Sequence, residues 1–177
     1  MTDLAGQSIA GLIDERVPVV EDWPQPGVAF RDVNPLLADP AAFGAVVEAL
    51  ADAVGPVDAV LGIEARGFVF GTAVAMRRGV GFVPVRKAGK LPGPTLTETY
   101  DLEYGTATVE LPDGALAPGQ RVAVIDDVLA TGGTLAAALT LVARAGAEVA
   151  HTAVLIEIEA LGGRARVSAP LTALRTY

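Results

Sequence analysis

The chain contains no cysteine, so neither a disulfide framework nor a thiolate metal site is open to it. Its single histidine, His151, excludes a histidine-rich metal centre. Positive charge is scarce too. Formal net charge is −8 at pH 7, which argues against a broad nucleic-acid or anionic-membrane surface, since both need clustered cations. No apolar run is long enough to span a bilayer. The first residues, MTDLAGQSIAGLIDERV, carry acids early and do not read as a signal peptide. A cytoplasmic protein is expected. Lysine is the scarcest cation: of 13 basic residues only Lys87 and Lys90 are lysine, and both fall in RKAGKLPGPT. Arginine-heavy usage explains few lysines overall, but not their clustering.

What is present fits one globular domain of 177 residues, about half of them apolar. From residue 57 onward apolar runs alternate with helical patterns. VDAVLGI (57–63), GFVPVR (81–86), RVAVID (121–126) and EVAHTAVLIEI (148–158) read as strands. FVFGTAVAMRRG (68–79) reads as a helix stopping at Gly79, and TLAAALTLVARAGA (134–147) as one with Gly146 near its stop. That alternation predicts an α/β fold, a mostly parallel central sheet flanked by helices. KAGKLPGPTLTET (87–99) lacks any apolar period and reads as a long, functional loop. YDLEYGTATVELP (100–112) reads as extended and antiparallel. In the N-terminal third, residues 4–17 suit a helix. Residues 22–40 are proline-rich and mostly irregular, and Asp39-Pro40 reads as the N-cap and first residue of another helix.

VIDDVLATGGT (124–134) carries the chemistry. Ligands bind at the carboxyl ends of parallel strands, where Asp126 and Asp127 would sit. The small-residue loop behind them opens a helix, so its N–H groups favour an anion, and Thr131 and Thr134 add hydroxyls. Carboxylates would repel a phosphate they touched. They can instead accept hydrogen bonds from hydroxyls one sugar away, or ligate a metal through water. A ribose 5-phosphate satisfies both halves. A Walker loop is excluded because no lysine follows the glycines, and no dinucleotide fingerprint is present. An acidic strand end with threonine as a helix cap is the plainer alternative, and a lone DD-x-x-x-T would favour it.

The complete stretch is similar to the phosphoribosyl pyrophosphate (PRPP) signature of type I phosphoribosyltransferases. With PGVAFRDVNPLL, EARGFVFG, VPVRKAGKLPGPT and LEYGTATVEL in the same order, residues 22–160 resemble the adenine phosphoribosyltransferases. The resemblance implies the type I phosphoribosyltransferase fold with a flexible hood loop, and transfer of ribose 5-phosphate from PRPP to adenine N9, giving AMP and pyrophosphate with Mg²⁺. It implies a homodimer, and no metal ligated mainly by the protein. It places the 5′-phosphate on Ala130, Thr131, Gly132, Gly133 and Thr134, and the ribose hydroxyls on Asp126 and Asp127. Arg66 of EARG, with Arg86, Lys87 and Lys90, would face pyrophosphate. Glu103 of LEYG would be the catalytic acid near adenine N7. Ala29, Phe30 and Arg31 of VAFRD, with Ile158, would hold adenine, and backbone readout would reject guanine or hypoxanthine. Taken singly, Arg66 reads first as a surface ion pair, spacing does not separate Glu103 from a solvent-facing strand residue, and Phe30 and Ile158 are equally ordinary core. Other type I enzymes, acting on xanthine, hypoxanthine, guanine or orotate, share the phosphate loop. A PRPP-sensing regulator would keep the fold but need a basic face that this acidic chain lacks.

Overall fold

A computed structural model describes residues 6–101 and 105–177. The chain divides into two compact units, Met1–Ala49 and Leu50–Tyr177.

In the first unit, α1 (Ile9–Arg16) is capped by Ser8, whose hydroxyl accepts from the Gly11 N–H, and it buries Leu12 and Ile13. β1 (Val19–Val20) pairs antiparallel with β2 (Phe30–Arg31). α2 spans Asn34–Ala38 with proline in its first turn, where the missing N–H costs nothing. The rest of residues 22–40 is mostly irregular, as the proline content predicts. Asp39 opens α3 (Pro40–Val54) as expected: its Oδ1 accepts from the N–H groups of Ala41, 3.0 Å, and Ala42, 3.2 Å. The boundary between the units falls within α3.

The second unit contains β3 (Ala59–Ile63), α4 (Arg66–Arg78), β4 (Gly81–Lys87), β5 (Thr95–Asp101), β6 (Thr106–Pro112), β7 (Arg121–Leu129), α5 (Gly133–Arg144), β8 (Glu148–Glu157) and β9 (Leu171–Thr176). They form a seven-stranded sheet in the order β5-β6-β4-β3-β7-β8-β9. The five strands from β4 to β9 run parallel, and β6 and β5 add an antiparallel edge. Every residue of β3 is buried, which explains its unbroken apolar run. The two crossover helices cover opposite faces. α5 packs Leu135, Leu139 and Val142 against a core containing Leu61, Ile63, Val83 and Val124. α4 lies on the other face, so close that a Cβ at Gly71 would stand 3.2 Å from the Gly62 Cα. The chain turns one way through α4 to β4 and the other way through α5 to β8. β3 and β7 thus flank the switch point where α/β sheets bind ligands.

Several boundaries differ from the sequence reading, among them three in the second unit. β7 does not end at Asp126 but runs on to Leu129, pairing Asp126 with Val154 and Val128 with Ile156. The paired acids are strand residues, and apolar Val128 and Leu129 beyond them carry the strand further. α5 stops at Arg144, and the left-handed Gly146 follows two residues later. The 87–99 segment is loop only to residue 94, and TLTETYD then forms β5. Threonine is β-branched and favours strands even without an apolar period.

Candidate active site

The turn from β7 into α5 is built for close approach. Gly132 has φ +79°, and α5 begins at Gly133. A space of about 70 Å³ lies inside the turn, bounded by Asp126 and residues 128–135. The space opens beside a helix start, which suits a tetrahedral oxyanion. Thr134 Oγ1 donates to Tyr100 Oη at 2.8 Å. Behind the turn stands buried Gly163, from a 3₁₀ turn at Gly163–Arg166. A Cβ there would overlap the Ala130 carbonyl oxygen and meet the Gly132 nitrogen at 2.8 Å. That 3₁₀ turn is tied down by Arg164, whose Nε donates to Glu157 Oε1 at 2.9 Å and whose Nη1 donates to the Leu171 carbonyl at 3.2 Å.

Asp126 and Asp127 are buried. The Asp127 N–H donates to Asp126 Oδ1 at 2.9 Å. Burial, then the Asp127 charge, push the Asp126 carboxyl well above the ordinary carboxylate range. Burial also raises Asp127, against the pull of Arg66, whose Nε lies 2.9 Å from Asp127 Oδ2. Arg66 reaches this position because α4 begins directly on β7. A Cβ at Gly67 would stand 2.8 Å from both Asp126 Oδ1 and the Ile125 carbonyl oxygen. The twin acids are offset in two ways, by an arginine and by burial that raises both carboxyls.

Both acids open onto a cleft of about 400 Å³ that Glu64, Arg66, Lys87, Tyr100 and Thr134 also line. The cleft joins an anion cradle, three carboxyl groups and two cations at the switch point. Pyranose- or furanose-sized cargo fits beside the cradle.

A family model described as the phosphoribosyl transferase domain matches residues 33–173. An adenine phosphoribosyltransferase of Streptomyces coelicolor is 56% identical over 99% of this chain and 100% of that protein. The crystal structure of adenine phosphoribosyltransferase from Rhodothermus marinus superposes with a TM-score of 0.91 at 43% identity, covering 96% of this chain and 98% of that one. The Saccharomyces cerevisiae enzyme, complexed with an imino-altritol 1,6-bisphosphate and adenine, gives 0.89 at 37% identity, covering 94% and 98%. The chain belongs to the adenine phosphoribosyltransferase family.

The family resemblance also assigned residues that the structure distributes unevenly. Residues 130–134 form the cradle, and Asp126, Asp127, Arg66 and Lys87 share its cleft. Arg66 lies against Asp127 as well as at the cleft wall, so its ion pair and its place in the site coexist. Arg86 makes its contacts within the protein. Its Nε and Nη2 donate to Glu64 at 3.2 and 3.1 Å, and its Nη1 to the Lys90 carbonyl at 2.9 Å. The same Glu64 accepts from the Lys87 N–H at 3.0 Å, and the Arg86 hydrogen bond holds its carboxyl below the usual range. Arg86 is thus a strut between the turn after β3 and the turn after β4. Lys90 is exposed in that second turn. In the first unit, Ala29 is exposed and Phe30 packs edge-on to Trp23, with centroids 4.3 Å apart. Arg31 pairs with Val19 in the β1–β2 ladder. In the second unit, Ile158 is half-buried just past β8, its N–H donating to the Leu129 carbonyl at 2.9 Å. Glu103 lies outside the described residues. His151 is a β8 residue bonded to Thr172, as expected of a residue without a surrounding motif.

Sequence reading missed Tyr100, Glu64 and the Glu157–Arg164–Gly163 group. The one local signal was the glycine pair in EALGGRARV, which marks a close backbone approach.

Proposed function

We propose that the chain transfers the 5-phosphoribosyl group of PRPP to N9 of adenine, forming AMP and pyrophosphate. The supporting observation is the shared cleft: an anion cradle opens beside two buried carboxylates, with Arg66 and Lys87 on the wall. The family's named activity supports the choice of base. In the reaction the bond from C1′ to the pyrophosphate oxygen breaks and leaves its electron pair on pyrophosphate, the bond from C1′ to N9 forms, and the N9 proton is released to solvent. Residues 130–134 bind the 5′-phosphate through backbone N–H groups and hydroxyls. Asp126 and Asp127 accept from the ribose 2′- and 3′-hydroxyls, and those donors favour their ionised forms. Arg66 and Lys87 receive the developing pyrophosphate charge. Glu103 holds a proton at adenine N7 while N9 attacks. Ala29, Phe30, Arg31 and Ile158 are the adenine contacts in this reading.

Mg²⁺ is the implied cofactor, and the donor set suits it. The cleft supplies hard carboxylate oxygens from Asp126 and Asp127, while Glu64 is engaged by Arg86. So few protein oxygens leave most of an octahedral shell to substrate phosphates and water. The chemistry such an ion supplies is neutralisation of charge on the pyrophosphate.

A cytoplasmic homodimer completes the reading. Among the described residues no helix is long and apolar enough to cross a membrane. On α4, Val69 and Met76 are 41% and 79% exposed two turns apart and offer an apolar face to a second copy. Light scattering after size exclusion tests the dimer. The decisive assay is direct detection of AMP from adenine, PRPP and Mg²⁺, with hypoxanthine as competitor. PRPP consumption with hypoxanthine and none with adenine would favour another purine phosphoribosyltransferase.

A further inference from the structure

Tyr100 belongs to no motif, yet it touches the anion cradle twice. Its hydroxyl oxygen accepts from Thr134 Oγ1 at 2.8 Å. Its ring lies on Gly133, where an added Cβ would stand 2.9 Å from Tyr100 Cδ2. The strand that carries it is held by the same helix that opens the cradle. From the last turn of α5, Arg144 Nη1 donates to Glu98 Oε2 at 3.0 Å and to the Thr97 carbonyl. β5 is also paired along its length with β6, with the Thr99 and Thr108 hydroxyls 2.8 Å apart. Helix α5 therefore meets β5 at both ends, through Arg144 below and Thr134 above.

We propose that Tyr100 is a positioning residue for the sugar's 5′-phosphate, acting through the Thr134 hydroxyl and the Gly133 backbone. The proposal rests on the phosphoribosyl-transfer reading. A threonine hydroxyl has one hydrogen to give. With the cradle empty, Thr134 gives it to Tyr100. When an anion takes that hydrogen, the Tyr100–Thr134 bond survives only if tyrosine supplies its own. Tyrosine can reverse roles in this way, and phenylalanine cannot. The result is a chain from Tyr100 to Thr134 to phosphate, in which each bond polarises the next. The Thr134 rotamer is held in place in both states, so no side-chain ordering is left to do when phosphate arrives. The ring meanwhile keeps the Gly133 N–H close to the turn.

Tyr100→Phe keeps the ring and removes only the hydroxyl. The KM for PRPP and the dissociation constant of ribose 5-phosphate should each rise about five- to tenfold, the worth of one net hydrogen bond. The KM for adenine and kcat should stay within about twofold, because the hydroxyl acts on phosphate binding and not on the chemical step. In a Thr134→Ala background the same substitution should add nothing, since the route runs through that hydroxyl. Unchanged ribose 5-phosphate affinity would overturn the proposal, and so would a parallel loss for adenine, which signals general loosening. A full additional loss in the Thr134→Ala background would overturn the route. A wild type that forms AMP beside an unaltered Tyr100→Phe protein refutes Tyr100 alone. A wild type that neither forms AMP nor binds ribose 5-phosphate brings down the parent reading and this proposal together.

Discussion

Asp126→Asn should make the empty protein more stable at neutral pH while disabling its sugar site. The substitution is isosteric. The Asp127 N–H donates to the native carboxylate oxygen at 2.9 Å, and the new amide oxygen can accept that bond in its place. The amide nitrogen can donate to the neighbouring carboxylate. In the wild type, burial and then the Asp127 charge hold the Asp126 proton far above the ordinary value of 3.8. The sign follows from linkage. Above 3.8 the unfolded chain has shed this proton while the folded protein keeps it. Stability therefore falls as pH rises from there to the folded value, by about 1.4 kcal/mol per pH unit for one proton. The asparagine variant lacks that slope. Glu64, whose depressed value acts only at lower pH, cancels in the comparison; Asp127 keeps Arg66 in both proteins but loses its titrating neighbour, so the difference in slope belongs to the pair of acids. For a chain of this length the gap in Tm should widen by about 3–6 °C per pH unit in that window. Calorimetry of both proteins without ligand, from about pH 4 to 7 in half-unit steps, reads it directly. The curves should converge near the acid end and diverge upward, with the variant above. Parallel curves would show that Asp126 is not held protonated, and the account of the paired acids would be wrong. PRPP affinity should fall in the same variant, because the amide replaces one of the two hydroxyl acceptors. A site stabilised by removing a carboxyl that ionises more readily in the unfolded chain is the expected trade between binding and stability.

Glu103→Ala should lower kcat about 100-fold or more with little change in PRPP affinity, as loss of a proton-holding group predicts; steady-state kinetics with equal kcat would remove it from the mechanism. Gly163→Ala drives a methyl into the Ala130 carbonyl, so thermal unfolding should show about 1–3 kcal/mol lost together with a raised KM for PRPP. An unchanged KM would mean that the cradle does not lean on this glycine. Arg164→Leu leaves the Glu157 carboxylate, whose side chain is 6% exposed, without its guanidinium. Denaturant unfolding should show a loss of about 3 kcal/mol, the lower end for a broken buried pair because Arg164 itself is half exposed.

Much of the fold is legible because its signals are local. β3 is buried on both faces, so apolar continuity alone marks it. Gly79 ends α4 in the left-handed region, where the lack of a Cβ removes the usual penalty. The cradle is legible for the same reason: two acids, three positions and TGGT occupy one strand, one turn and one helix start. What stays hidden depends on distance along the chain. Arg86 and Glu64 are 22 residues apart, and no periodicity tells an arginine that a carboxylate waits in the turn after the adjacent strand. The same holds for Gly163, whose purpose is visible only once Ala130 is against it, and for Tyr100, 34 residues from Thr134. β5 hid for a different reason. Its alternation is between threonine and other residues, mostly polar, so it is β-branching, not hydropathy, that makes it a strand. A motif therefore names the groups that can touch a substrate, while the groups that hold them in place are selected by packing across strands. Such supports have no compulsory spacing, since any residue of the right shape opposite the motif can serve. That is why the residues that line the cradle were readable from the letters and their two supports, Gly163 and Tyr100, were not.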